Sequence, residues 1–262
     1  MNQVYDCIAS VVVYDTSLDV LLECVNSFLD TKLRVKIYII DNSAVKGNYP
    51  LPDDPRIYYH FNHGRNVGYG QGNNIAIENA EESKYFLILN PDVFIKEDAL
   101  EKLIHFMDMN PEIGISIPKV LNLDGSQQFV NKRHPAILPL FIRRFIPKIL
   151  HPLFKKTLDF YEMKDLNQEE NYEVPFMSGA FMLFRRNVLD KVRGFDPRYF
   201  LYFEDADISR EVQALGYKTT YFARANVTHL WKRAAHKNWK ITFIFISNMI
   251  RYFNKWGWSF LE

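Results

Sequence analysis

The sequence is poor in cysteine and has no excess of either charge. Its two cysteines, Cys7 in an apolar run and Cys24 in a predicted helix, have neither the spacing of a zinc site nor the number of a disulfide framework, which fits a reducing cytoplasm. Lysine and arginine number 32 against 31 acids, a net charge of +1, so no nucleic-acid partner is expected. No apolar run approaches the ~20 residues of a spanning helix. Met1 to Asp6 is polar and lacks a basic start, so no signal peptide is expected either. No Gly-Lys-Ser or Gly-Lys-Thr occurs, which excludes a P-loop. What the chain does have is a core: 48% of its 262 residues are hydrophobic. Aromatics reach 15%, more than a minimal core needs, leaving some for a sugar, lipid or membrane surface.

Strand and helix patterns alternate. Cys7 to Val13, Val35 to Ile40, Ile57 to Phe61, Tyr85 to Leu89 and Ile113 to Ile117 read as buried strands. Helices are predicted from Leu18 to Leu29, from Asn73 or Asn74 through Ala80, and from Lys96 to Met109. This rhythm predicts an α/β fold with a mainly parallel central sheet and functional loops collected at the ends of the strands. After an irregular middle, Val174 to Phe184 reads as a strand interrupted at Ser178-Gly179, Ala206 to Leu215 as a helix, Tyr217 to Phe222 and Val227 to His229 as two extended pieces, and Trp239 to Trp258 as a C-terminal amphipathic helix.

Polar clusters close these strands. Asn90-Pro91-Asp92 stops the Tyr85 strand, because Pro91 has no amide hydrogen for the ladder and holds Asn90 extended. Two readings fit: a turn, or a carboxylate presented to a divalent cation that carries a phosphorylated ligand. The loop His63 to Asn74 has Gly68, Gly70 and Gly72, which misses the dinucleotide fingerprint by one position and follows the third strand, not the first. Glu204-Asp205 stands at a helix start, where acids complement the dipole or serve as a base, and His229 is either structural or a metal ligand.

Between Lys132 and Lys156 lie seven lysines and arginines and no acids, interleaved with apolar residues and broken by Pro135, Pro139, Pro147 and Pro152. The prolines forbid one long helix. A contact with anionic lipid, a solvated insertion and an oligomer contact all fit. The acidic stretch Asp159 to Glu173 reads as a loop.

Taken in order, Val11-Val12-Val13-Tyr14, Ile39-Ile40-Asp41-Asn42-Ser43, Arg65-Asn66-Val67-Gly68-Tyr69-Gly70-Gln71-Gly72-Asn73-Asn74, Leu89-Asn90-Pro91-Asp92, Ser178-Gly179-Ala180-Phe181, Gly194-Phe195-Asp196 and Phe203-Glu204-Asp205-Ala206-Asp207 resemble the family-2 glycosyltransferases over roughly residues 7–234. The nearest resemblance is to the rhamnosyltransferase branch that builds bacterial O-antigen and cell-wall polysaccharide. The resemblance implies a GT-A fold, a nucleotide-sugar donor such as dTDP-rhamnose, a divalent cation (Mg2+ or Mn2+), inversion at the anomeric carbon, and a lipid-linked or oligosaccharide acceptor at the cytoplasmic membrane face. It divides the chain into a catalytic domain at 1–234, with a nucleotide half at 1–121, an insertion at 122–172 and an acceptor half at 173–234, followed by a helical segment at 235–262. Peripheral membrane contact is expected through 132–156 and 237–258.

Carried over motif by motif, the resemblance implies that Tyr14, Asp41, Asn42, Arg65, Asn66, Gly68, Asn90 and Arg233 hold the donor nucleotide. Asp92 and His229 hold the metal, Asp205 is the base, and Ser178, Gly179 and Glu204 line the acceptor side. Asn90 departs from the family's paired aspartates, leaving Asp92 as the one charged ligand of that motif. A nucleotidyltransferase and a non-catalytic nucleotide-sugar-binding protein remain as alternatives.

Overall fold

The computed structural model describes residues 4–46, 49–230 and 239–261. Its strands are β1 (Tyr5–Val13), β2 (Val35–Asp41), β3 (Ile57–Phe61), β4 (Ser83–Leu89), β5 (Val93–Ile95), β6 (Ile113–Leu121), β7 (Tyr172–Glu173), β8 (Phe181–Arg185) and β9 (Lys218–His229). They form one sheet in the order β3-β2-β1-β4-β8-β6-β9-β5, with β7 paired to β9. β1, β2, β3, β4, β6 and β9 run one way, and β5, β7 and β8 oppose them. The long apolar runs of β1 and β4 are buried along nearly their whole length, as strands covered by helices on both faces must be.

Helix α1 (Leu18–Leu29) buries Leu21, Cys24, Val25, Phe28 and Leu29, and α3 (Ala99–Met109) buries Leu100, Leu103, Ile104 and Met107, each at helical spacing. Helix α2 (Tyr69–Asn79) starts at Tyr69, ahead of the predicted Asn73 or Asn74. Two of the loop's glycines therefore lie inside the helix, where they permit close packing. A Cβ on Gly72 would stand 2.8 Å from Val12, and one on Gly70 3.0 Å from Phe195. Gly68 precedes the helix at φ +88°, and its missing Cβ would fall 2.1 Å from the Phe200 carbonyl oxygen.

Other expectations need correction. The helix predicted from Lys96 begins only at Ala99, and just before it lies a short strand, β5, that the sequence reading did not include. The two extended pieces after Tyr217 are one strand, β9, with its register against β6 broken between Pro118 and Lys119. The stretch predicted to be an acidic loop holds the end of α5 (Lys155–Tyr161) and then β7, which pairs with β9. The basic segment is, as its prolines require, broken into α4 (Ile137–Phe145), a 3-10 turn (Lys148–Phe154) and α5.

After α6 (Arg186–Val192) come α7 (Glu204–Ala214) and α8 (Trp239–Trp256), which build a second core with α4 and α5. Its centre is Leu140, Tyr161, Tyr199, Phe203, Ala206, Tyr252 and Phe253. Asp207 pins α8 to α7: it accepts from Lys255 Nζ at 2.8 Å and from the Trp256 indole at 2.7 Å, and its own side chain is only 2% exposed. Among the described residues no helix is long and apolar enough to cross a membrane.

The register decides where the functional loops meet. Val13 pairs with Asp41, Asp41 with Phe61, Leu89 with Phe181, Leu121 with Thr228, and Val93 with His229. The carboxyl ends of β1, β2, β4 and β9 and the approach to β8 thus share one edge of the sheet, where open α/β sheets bind ligands.

Candidate active site

At that edge the short antiparallel β5–β9 ladder places Asp92 beside His229. Asp92 Oδ1 lies 3.3 Å from His229 Nε2, and the Leu230 amide donates to the Asp92 carbonyl at 2.9 Å. The other ring nitrogen is taken: the Gln128 amide nitrogen donates to the His229 carbonyl at 2.6 Å, which turns Gln128 Oε1 towards Nδ1 at 3.0 Å. In the neutral ring Nδ1 therefore carries the proton and Nε2 turns its lone pair towards the carboxylate. A carboxylate and a neutral imidazole in this arrangement fit a divalent ion. No third His, Cys, Asp or Glu joins them among the described residues. Asn90 contributes structure through its backbone, donating to Ala180 O and accepting from the Val93 amide and the Cys24 thiol.

The second cluster stands at the start of α7. Asp205 accepts from the Gly179 amide at 3.1 Å and from the Ala206 amide at 3.0 Å. Glu204 is more deeply buried, and its Oε2 has no hydrogen-bond partner. Burial raises both carboxyls above the usual range, Glu204 well above it with added repulsion from Asp205, whereas the two amides and Lys132 restrain Asp205. Of the two, Glu204 is thus the weaker acid and Asp205 the one more readily ionised. Phe203 and Tyr202 just before them hold φ values of +74° and +70°, the left-handed region that costs non-glycine residues about 1 kcal/mol or more. Tyr69 joins the two clusters. Its hydroxyl donates to Gly179 O at 2.5 Å, and its phenol lies in the field of Glu204, Asp205 and Asp92, burial and these charges holding it protonated.

The residues expected to hold a nucleotide divide into two kinds. Asp41 and Asn42 are buried and occupied: Asp41 accepts from Tyr59 and from the Ser43 amide, and Asn42 donates to Gly68 O at 3.1 Å. They tie the loop after β3 to the end of β2. Tyr14, Arg65 and Asn66 are exposed at the rim, Tyr14 by 54%, with Asn66 Oδ1 accepting from the Gly68 amide. Ser178 is half-buried, and its hydroxyl accepts from the Ala180 amide. Arg233 lies outside the described residues.

Two cavities flank the clusters. One of about 250 Å³ contains Asp205 and runs between α4 and α8, and one of about 610 Å³ reaches Ser178 and His229. The middle segment thus walls the site, and its basic side chains face two ways. Arg143 and Arg144 border a cavity, whereas Lys148, Lys155 and Lys156 are on the outer surface with Ile149 and Leu153. Gln128 and Tyr69 were not singled out from sequence. Gln128 gives no signal, lying 101 residues from the histidine it grips. Tyr69 could have been found as the aromatic set among the loop's glycines.

Residues 10–193 match the profile of Glycosyl transferase family 2, and residues 151–260 match Glycosyl transferase family group 2. The N-acetylglucosaminyl-diphospho-decaprenol L-rhamnosyltransferase of Mycobacterium tuberculosis is 28% identical over 224 residues, covering 77% of this chain and 68% of that protein. The rhamnosyltransferase WbbL of Escherichia coli is 26% identical over 168 residues, covering 62% of this chain and 60% of its own length. Among solved structures, GalNAc-T7 with UDP, GalNAc and Mn2+ superposes with a TM-score of 0.66 at 15% identity over 90% of this chain and 45% of that one. The mannosyltransferase PcManGT from Pyrobaculum calidifontis, with GDP-Man and Mn2+, gives a TM-score of 0.58 at 14% identity, over 95% of this chain and 65% of that one. These likenesses establish the GT-A fold. With the profile spanning well over half of its length, the chain belongs to glycosyltransferase family 2.

Proposed function

We propose that the protein is an inverting rhamnosyltransferase that moves L-rhamnose from dTDP-rhamnose to a lipid-linked glycan during synthesis of a bacterial surface polysaccharide. The observation that carries this reading is the pairing of a charged carboxylate, Asp205, with a separate Asp92–His229 pair on one sheet edge, both in the field of Tyr69. The names of the mycobacterial and E. coli relatives support the choice of rhamnose.

In this mechanism the acceptor hydroxyl gives its proton to Asp205 as its oxygen bonds to the anomeric carbon. The bond from that carbon to the diphosphate breaks on the opposite face, so the sugar inverts and the nucleoside diphosphate leaves with the electron pair. The amides of Gly179 and Ala206 hold Asp205 charged and aimed, while Glu204 stays neutral. Asp92 and His229 would hold a divalent cation, which supplies positive charge to the leaving diphosphate. Tyr14, Arg65 and Asn66, open at the rim, would meet the base and ribose, with Asp41, Asn42 and Gly68 fixing their loop and Asn90 the floor. Arg233 would steady the diphosphate, and Ser178 would face the acceptor.

A place on the cytoplasmic face of the membrane is part of the same reading. Phe141, Phe145, Ile149 and Leu153 are exposed on α4 and the turn after it, Trp239 and Phe243 on α8, and Lys148 and Lys156 lie among the first group.

A donor screen with product analysis tests the proposal. dTDP-rhamnose, UDP-galactofuranose and UDP-glucose are each supplied with a lipid-linked acceptor. Release of intact dTDP with formation of an inverted rhamnoside is expected. Turnover confined to a UDP-sugar would overturn the donor, and release of pyrophosphate would make the protein a nucleotidyltransferase.

A further inference from the structure

The two cavities meet at Lys132 and Arg143, which border both. Lys132 is spaced by a β-bridge to Phe176, and its ammonium donates to the Val130 carbonyl at 2.8 Å instead of to a carboxylate. Arg143 must share Glu162 with Lys164, each at 2.6 Å. Lys164 also approaches Asp159 at 3.5 Å, but that carboxylate is already paired with Lys155. Arg144 adds a third cation to the smaller cavity, where Asp205 is the one carboxylate. Positive charge is in surplus where the cavities join.

The rest of the smaller cavity is of a different character. Leu140, Phe176, Tyr202 and Phe245 line it, and the two helices that contribute to its wall, α4 and α8, also carry exposed apolar residues, Phe141 and Phe145 on the one and Trp239 and Phe243 on the other. A bare oligosaccharide would want hydrogen-bonding groups along such a wall. A cavity whose lining combines apolar side chains with cations fits an amphiphile that carries an anionic head between a sugar and a hydrocarbon tail.

We propose that Lys132 and Arg143 form an anion subsite for the phosphate of a prenyl-diphosphate-linked acceptor, with the first isoprenoid units against Leu140, Tyr202 and Phe245. Held there, the sugar next to the phosphate reaches Asp205. The inference deepens the proposed function, and its part about sugar transfer rests on that reading, whereas binding of the lipid phosphate does not. Burial and the nearby Arg143 pull the Lys132 ammonium down to about 7, a penalty that a bound anion relieves.

The test is binding of farnesyl diphosphate to the full chain by calorimetry, without divalent metal. The wild type is expected to bind it at least tenfold more tightly than farnesol or inorganic pyrophosphate. Lys132→Met with Arg143→Gln weakens it by tenfold or more and leaves affinity for dTDP within about twofold, which also shows that the variant folds. Unchanged binding by the variant would overturn the subsite. So would displacement of farnesyl diphosphate by equimolar dTDP, or a parallel loss of dTDP affinity, since either would put the anion in the donor site. Because no transfer is read, a different donor sugar would refute the proposed function and leave this result standing.

Discussion

Gln128 grips His229 at both ends, donating to its carbonyl at 2.6 Å and facing its Nδ1 at 3.0 Å. The grip fixes the ring's tautomer and turns Nε2 to Asp92. Partners of this kind are worth about ten- to a hundredfold in metal affinity. Gln128→Ala should weaken Mn2+ binding by that factor in the presence of dTDP, measured from the free-ion electron paramagnetic resonance signal. Affinity equal to the wild type's would show that the ring needs no such support.

Asp205 has a raised pKa because burial outweighs the amides and Lys132 that lower it. A base must be ionised to work, so kcat/KM should rise with pH through that value and fall off on the acid side. Removing the nearby cation raises the value further. The acid limb of the profile for Lys132→Met should therefore move to higher pH, and a limb that stays put would separate Lys132 from the base.

Much of this was legible in the sequence, for reasons that concern local chemistry. Pro91 ends β4 wherever β4 pairs, so Asp92 had to sit at a strand end, and the acids at 204 and 205 had to open a helix. The pairing partner was not legible. β5 has three residues, too few to show a period, yet it is what brings Asp92 to His229. The early start of α2 was hidden because glycine reads as a helix breaker, and here the need for close approach to Val12 and Phe195 overrides propensity. The two-way split of the basic segment arises from packing of α4 against α8, which a one-dimensional charge count does not contain.

Glu204 is a buried carboxyl with an orphan oxygen, and its native pKa lies well above the unfolded one. For such a group stability is fullest below the unfolded value, near 4.3, and is lost as pH rises through the native value. Glu204→Gln should thus stabilise the protein at pH 8 by about 1–2 kcal/mol in urea unfolding, and the gain should vanish near pH 4. A loss of stability at both pH values would mean that the carboxyl has a partner role in the fold.

The membrane reading makes a narrower demand now that Arg143 and Arg144 border a cavity. Ile149→Ser with Leu153→Ser, or neutralising Lys148, Lys155 and Lys156, should weaken partitioning onto anionic liposomes by tenfold or more in a co-sedimentation assay, since each basic residue near the surface is worth roughly 1 kcal/mol. Undiminished sedimentation of both variants would remove this face from consideration.

The central claim is that Asp205 takes the proton while the donor is held elsewhere. The direct measurement pairs dTDP-rhamnose affinity with single-turnover transfer in Asp205→Asn. The account predicts affinity within about threefold of the wild type and transfer lowered by about 10²–10⁴. Transfer at near the wild-type rate, or donor affinity that collapses with it, would contradict it.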